Sequence, residues 1–308
     1  MDIGTEGNPG ARSIKKSLAA LGLSNQQKRE VVMKLKSDYP VKTLCDLLAL
    51  PRSSWYYHSV DRDERDLQKA VEQVVGQFPT YGSRRVAHQL RREHGELKAI
   101  GRKRVRRVLG EMGLKLRRKA IKKQTTDSRH CFPRYENLVK ELDVVRPDQV
   151  WVGDITYIRL GDGTFVYLAI LMDVFTRIIR GWAIGSGLGV ELTLQALHRA
   201  LTRGRPEIHH SDQGLQYAAT DYVATLKRHK VQVSMAAVGH AEENGYAERV
   251  IRTIKEEEVA LNEYPDLTSA KLHIGRFIDD VYCTKRIHSS LGYLTPTEFA
   301  AQWSKRSL

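Results

Sequence analysis

The sequence predicts an α/β protein: a mixed sheet flanked by helices, preceded by an all-α region of helix-turn-helix type. Three observations carry that prediction. Between about residues 24 and 112, apolar side chains recur at the spacing of amphipathic helices. From residue 149 the pattern switches to short β-branched runs bounded by turn residues, which then alternate with helical periods. The charge divides along the same line. Residues 1–150 hold 32 Lys and Arg against 18 Asp and Glu, and the rest holds 18 of each, so the whole +14 excess lies in the first half. Solubility alone does not require such asymmetry; it points to a polyanionic partner docking mainly on the helical half.

Residues 1–60 read as an N-terminal helical region. Ser24 and Gln27 form a capping-box pair opening a helix to about residue 37. Tyr39-Pro40 ends it, Val41, Leu44, Leu47 and Leu48 share one face of a second helix, and Pro51 sits in the first turn of a third. Residues 61–119 read as a helix-turn-helix-like DNA-binding domain. Its helices are expected over 63–77, over 83–94 with Ser83 as cap, and over 101–112. The last has Val105, Val108 and Leu109 inward and Arg102, Lys103, Arg104, Arg106 and Arg107 outward. Arg84 and Arg85 precede them, and Arg117, Arg118 and Lys119 follow. Residues 102–129 hold 12 basic and 2 acidic residues. Such a run repels itself unless a polyanion neutralises it, so these ten cations are the candidate phosphate contacts, with a solvated surface helix as the competing reading.

Residues 120–148 form a basic linker, and 149–303 the main α/β domain with a helical extension at its end. Strands are expected over 149–159, 164–173, 177–184, 207–210 and 231–235, with the first three joined as hairpins. Helices are expected over 190–203, 216–229, 244–261 and 267–284.

At 308 residues, the chain has room for two or three domains. Its 41% hydrophobic and 28% charged residues are a soluble globular balance. The longest apolar stretch, Phe165 to Met172, falls far short of the roughly 20 residues of a membrane span, so no membrane is expected. The N-terminus has no apolar h-region, and a cytoplasmic, nucleoid-associated protein is expected. Cys45, Cys131 and Cys283 form no CxxC pair, which argues against a zinc ribbon. No GxxxxGK[ST] loop appears, which disfavours an ATP-driven machine.

Three carboxylates stand out. Asp154 lies among apolar neighbours in WVGDITYI, where burial is costly unless a partner or metal compensates. Asp212 follows the fourth strand in HHSDQGLQY, and Glu248 opens the long helix. Such a set can converge on one edge of the sheet. Oxygen donors of this kind suit Mg²⁺ or Mn²⁺, and two such ions suit phosphoryl transfer on nucleic acid. At about 100° per residue, Asn244, Arg252 and Lys255 share the helix face of Glu248, opposite Val250, Ile251 and Ile254. That face suits metal and DNA phosphate; a salt-bridged solvated face is the alternative. Asp173, Asp279, Asp280, His209, His210 and His240 are expected in structural roles, with His210 a possible neighbour of the acidic site.

The motifs WVGDITYI, HHSDQGLQY, ENGYAERVIRTIKEEEV and RIHSSLGYLTPTEF stand in order, with 35 residues between Asp212 and Glu248. In these, residues 65–300 resemble the OrfB product of the insertion-sequence-three family of bacterial transposases, relatives of retroviral integrases. The resemblance implies an RNase H-like integrase core with Asp154, Asp212 and Glu248 as catalytic, metal-holding triad. It also implies two Mg²⁺ or Mn²⁺ ions, and a DNA-end contact by Lys255. The reaction implied is 3′-end cleavage by water, followed by attack of the 3′-OH on target DNA. The partners implied are double-stranded element ends and target, a homo-oligomer, and an OrfA partner or frameshift fusion. YGSRRVAHQL and GRKRVRRVLGEMGL resemble the family's helix-turn-helix region. Gly153 and Cys283 depart from it: members often have Thr and Asn there. Two other readings stay open from sequence: an RNase H-like nuclease without strand transfer, and a catalytically inactive DNA-binding regulator.

Overall fold

The computed structural model describes residues 23–57, 64–114, 135–237 and 240–306. The chain divides into two compact units, Met1–Glu64 and Arg65–Leu308.

The first unit contains α1 (Asn25–Leu35), α2 (Val41–Leu47) and α3 (Arg52–Tyr56) around Val32, Leu44, Cys45, Leu48 and Leu50. The expected capping box is present, with the Gln27 amide donating to Ser24 Oγ at 3.3 Å and the Ser24 amide to Gln27 Oε1 at 2.8 Å. Arg29 ties the ends together by donating to the carbonyl oxygen of Ser54 at 2.7 Å.

The second unit opens with α4 (Arg65–Gln77), α5 (Ser83–Glu93) and α6 (Arg102–Glu111). Leu67, Val71, Val74, Val86, Leu90, Val105 and Val108 form their shared core, as the periodicity predicts. Gly82, not Ser83, is the N-cap residue of α5, and no side chain caps it.

The sheet follows: β1 (Val150–Arg159), β2 (Phe165–Asp173) and β3 (Ile179–Gly185), then α7 (Val190–Leu201) and β4 (Ile208–Ser211). Next come α8 (Leu215–Ala218), α9 (Thr220–Arg228), β5 (Gln232–Met235), α10 (Gly245–Glu257), α11 (Leu267–Arg276) and α12 (Pro296–Arg306). The strand order is β3-β2-β1-β4-β5; β1, β2 and β3 run antiparallel, and β4 and β5 run parallel to β1. This is the RNase H-like mixed sheet expected.

Both faces are covered, which is why the strands read as near-continuous apolar runs. Alternate side chains point to opposite faces. Val150, Val152, Ile158, Leu168, Ile170 and Met172 pack against Val250, Ile251 and Ile254 of α10 and Ile274 of α11. Trp151, Ala169 and Leu171 pack against Ala196 and Leu197 of α7 and against Tyr217 and Tyr222.

Several boundaries differ from expectation. The expected 216–229 helix breaks at Ala219, whose ψ of 141° is extended. The expected 244–261 helix begins only at Gly245, after a 3₁₀ turn Ala241–Asn244, and ends at Glu257. The expected 267–284 helix changes to a π turn over Phe277–Tyr282.

Candidate active site

Asp154 occupies an even position of β1, so it shares the face of Val150 and Val152 on which α10 packs. Gly153 aligns with Ser211 across the parallel β1–β4 ladder. Asp154 and Asp212 therefore each stand one residue beyond an aligned pair, on neighbouring strands about 4.8 Å apart. The Asp212 carboxylate accepts from the Gly214 amide at 3.0 Å, which holds the turn after β4. Glu248 lies in the first turn of α10.

The three acids are close enough to act on one another. The Asp154 carboxyl is pushed up to about 8, first by burial and then by the negative charge of Asp212, with Glu248 adding to it. The Ile155 amide, donating at 2.7 Å, and Lys255 oppose that rise. Among the described residues, no three His, Cys, Asp or Glu side chains form a ready-made metal cage.

Lys255 and Arg252 lie half-buried on the Glu248 side of α10, while Ala247, Val250, Ile251 and Ile254 are buried, as the helix geometry predicts. The Lys255 ammonium sits 4.4 Å from the centre of the Tyr157 ring, and burial lowers its pKa against the pull of Asp154. Asn244 is a correction. It precedes α10 and so is not on its exposed face; it is 3% exposed and donates through Nδ2 to the Gly153 carbonyl oxygen at 3.1 Å. That bond ties the start of α10 to β1 beside Asp154. Its Oδ1 is buried with no hydrogen-bond partner among the described residues.

The wall behind β1 is aromatic. His209 meets the Tyr222 hydroxyl at 3.0 Å, and burial holds its imidazole down at about 3. His210, held down to about 4 mainly by burial, pairs with Ser234 Oγ at 2.8 Å. Both make buried side-chain hydrogen bonds, and His210 Nε2 has no partner among the described residues. A Cβ on Gly153 would lie 3.1 Å from both His209 Nε2 and Tyr217 Cε1, so this packing accounts for glycine there. Cys283, the other departure, is half-buried, its thiol raised to about 11 chiefly by burial.

Arg84, Arg102, Lys103, Arg106 and Arg107 are exposed on α5 and α6, and Arg104 is half-buried. Arg107 pairs with Glu111 one turn on at 2.9 Å. Arg117, Arg118 and Lys119 lie outside the described residues. Arg85, another of the expected DNA contacts, is half-buried, 3.4 Å from Glu257, with its guanidinium 5.4 Å from the centre of the Tyr81 ring. Sequence reasoning missed that contact, because Glu257 stands in an acidic run that reads as a solvated face. It also missed the open groove of about 490 Å³ beside Glu248, lined by Glu243, Gly245, Tyr246, Arg249 and Arg252. Arg177 lies 4.2 Å over the ring of Tyr246, which is 50% exposed.

The integrase core domain family matches residues 144–241, a second integrase core family matches 229–296, and the HTH-like domain family matches 61–122. The mixed five-stranded sheet and the family matches together make this an enzyme built on an integrase core. The chain is 32% identical to the transposase for insertion sequence element IS629 of Shigella sonnei, covering 86% of this chain and 93% of that one. It is 31% identical to transposase InsF for insertion sequence IS3A of Escherichia coli (strain K12), covering 87% and 96%. More narrowly, then, the chain belongs to the insertion-sequence-three (IS3) family of transposases. Among solved structures, the HTLV-2 integrase catalytic core domain in complex with magnesium is similar over 50% of this chain and 97% of that one. That match has a TM-score of 0.39 and 15% identity, too loose to bear on the argument.

Proposed function

We propose that this transposase cleaves the 3′ ends of its element and joins them to target DNA, with Asp154, Asp212 and Glu248 as the acidic centre. The observation that supports this reading most is geometric: Asp154 and Asp212 each follow the aligned Gly153–Ser211 pair of β1 and β4, and Glu248 in the first turn of α10 acts on Asp154. Three elements bring like charges together in a half-buried place, a costly arrangement that a cation relieves. Three carboxylates are hard oxygen donors of the kind a divalent ion takes, and the Oδ1 of Asn244, whose Nδ2 is bonded to the Gly153 carbonyl, is buried without a hydrogen-bond partner among the described residues. Asp154, Asp212 and Glu248 would hold Mg²⁺ or Mn²⁺, two ions being expected, whose chemistry is to activate an attacking oxygen and stabilise a leaving one.

The chain's own residues supply the rest. Lys255 and Arg252 flank the acids on α10 and favour a scissile phosphate there. Arg249 and Tyr246 extend that surface along the groove. The cations of α5 and α6 favour the phosphate backbone of double-stranded DNA, providing affinity without base choice. A homo-oligomer holding two ends, an OrfA partner or fusion, and a cytoplasmic, nucleoid-associated location complete the reading. Among the described residues, no helix is long and apolar enough to cross a membrane.

The test uses a duplex carrying the inverted repeat that flanks the gene, supplied with a pre-cleaved 3′-OH, target DNA and Mg²⁺ or Mn²⁺. The wild-type chain should join the two. Asp154→Asn should abolish joining and leave duplex affinity within about twofold, since phosphate contacts carry affinity. Loss of both activities, or of neither, would sink the assignment. Cleavage without joining would mark a nuclease.

A further inference from the structure

RIHSSLGYLTPTEF, residues 286–299, takes no part in the acidic centre, yet it joins the two halves of this unit. Arg286, with its side chain 4% exposed, donates through Nε and Nη2 to the two carboxylate oxygens of Glu257, both at 2.6 Å. Glu257 is the last residue of α10, the helix that carries Glu248 and Lys255. Arg85 of α5 reaches the same carboxylate at 3.4 Å. The next residue of this segment, a strap across the unit, binds the helical side. The Ile287 amide donates to the Tyr81 hydroxyl at 2.9 Å, and the Ile287 side chain is buried in the core of α4, α5 and α6. Farther along, Arg92 of α5 donates to Glu298 at 2.6 Å, and His88 stacks on Tyr293 with ring centres 3.4 Å apart.

The ion pairs add more than stability to this arrangement. A buried ion pair often does no better than well-packed apolar side chains, and here two guanidinium groups share one carboxylate. What a two-pronged arginine contact supplies is direction. It holds the end of α10 in one orientation, both to the strap and to the helices that carry the exposed cations.

We propose that the Arg85–Glu257–Arg286 triad is a latch that sets the distance between DNA gripped by α5 and α6 and the acidic centre. Glu257 and Arg286 are then positioning residues that determine which phosphodiester is cut. The proposal rests on the strand-transfer reading above.

The test maps cut positions on a labelled duplex carrying the element's inverted repeat, alongside duplex affinity and the thermal midpoint. The double variant Glu257→Met with Arg286→Leu replaces the pair with apolar side chains. It should bind the duplex within about twofold of wild type. Cutting at the wild-type position should fall by about tenfold or more, with new cuts at neighbouring phosphodiesters. A folded double variant that cuts at the wild-type position and rate would overturn the latch, and so would one whose only defect is lost DNA binding. Should the double variant not fold, Arg286→Lys decides. It keeps the charge but loses the two-pronged contact to Glu257, and an unchanged cut position and rate there would overturn the proposal. A wild-type chain that cuts nothing under these conditions overturns the functional reading itself, and the latch with it.

Discussion

Asp154 and Asp173 are both raised by burial, but their surroundings differ. Asp173 is fully buried and accepts from the Thr176 amide at 2.9 Å, the Thr176 hydroxyl, and the Asp148 amide at 3.1 Å. Asp154 accepts from its neighbour Ile155 and faces two other acids. Asp173→Ala should therefore cost about 2–3 kcal/mol in chemical denaturation, because it strands buried donors. Asp154→Asn should instead raise the thermal midpoint of the metal-free protein by about 2–4 °C, because it removes repulsion; a lowered midpoint would count against the acidic centre. His288 gives a pH signature. Burial first, then Arg286 and Arg85, hold its imidazole down at about 3, against about 6.5 when unfolded. Its contribution is complete above about pH 6.5 and is lost as pH falls toward 3, at up to about 1.4 kcal/mol per pH unit. His288→Asn should flatten the stability–pH curve between pH 6 and 4 by about that slope; parallel curves would refute it.

At the scale of the element, α10 shows what periodicity can and cannot see. Its buried face and its Glu248, Arg252 and Lys255 side were legible because both follow from 100° steps. Asn244 was misplaced because a 3₁₀ turn Ala241–Asn244 precedes the helix, and spacing does not reveal where a helix starts. Helix α6 was legible for the same reason as α10. Replacing Arg102, Lys103 and Arg106 together by Ala should weaken duplex binding about equally for specific and random sequences. It should also reduce the slope of log affinity against log salt by up to about 3. A loss confined to the inverted repeat would assign these residues to base reading instead.

At the scale of the molecule, the three acids and the exposed cations of α5 and α6 occupy different parts of one unit. A divalent ion that binds the acidic centre should stabilise the fold by about 2.7 kcal/mol at 100 times its Kd. Calorimetry with Mg²⁺ or Mn²⁺ should show this in the wild type and lose it in Asp154→Asn; an equal rise in both would place the ion elsewhere. The alternation of strands and helices, the three acids and the side of the charge excess were all determined by the sequence itself, since each is a property of local spacing or composition. The tertiary structure alone decided where each cation goes. Arg85 and Arg286 look no different in sequence from Arg84 and Arg106. Whether a guanidinium meets solvent or Glu257 depends on contacts 29 and 172 residues apart, which only folding brings together.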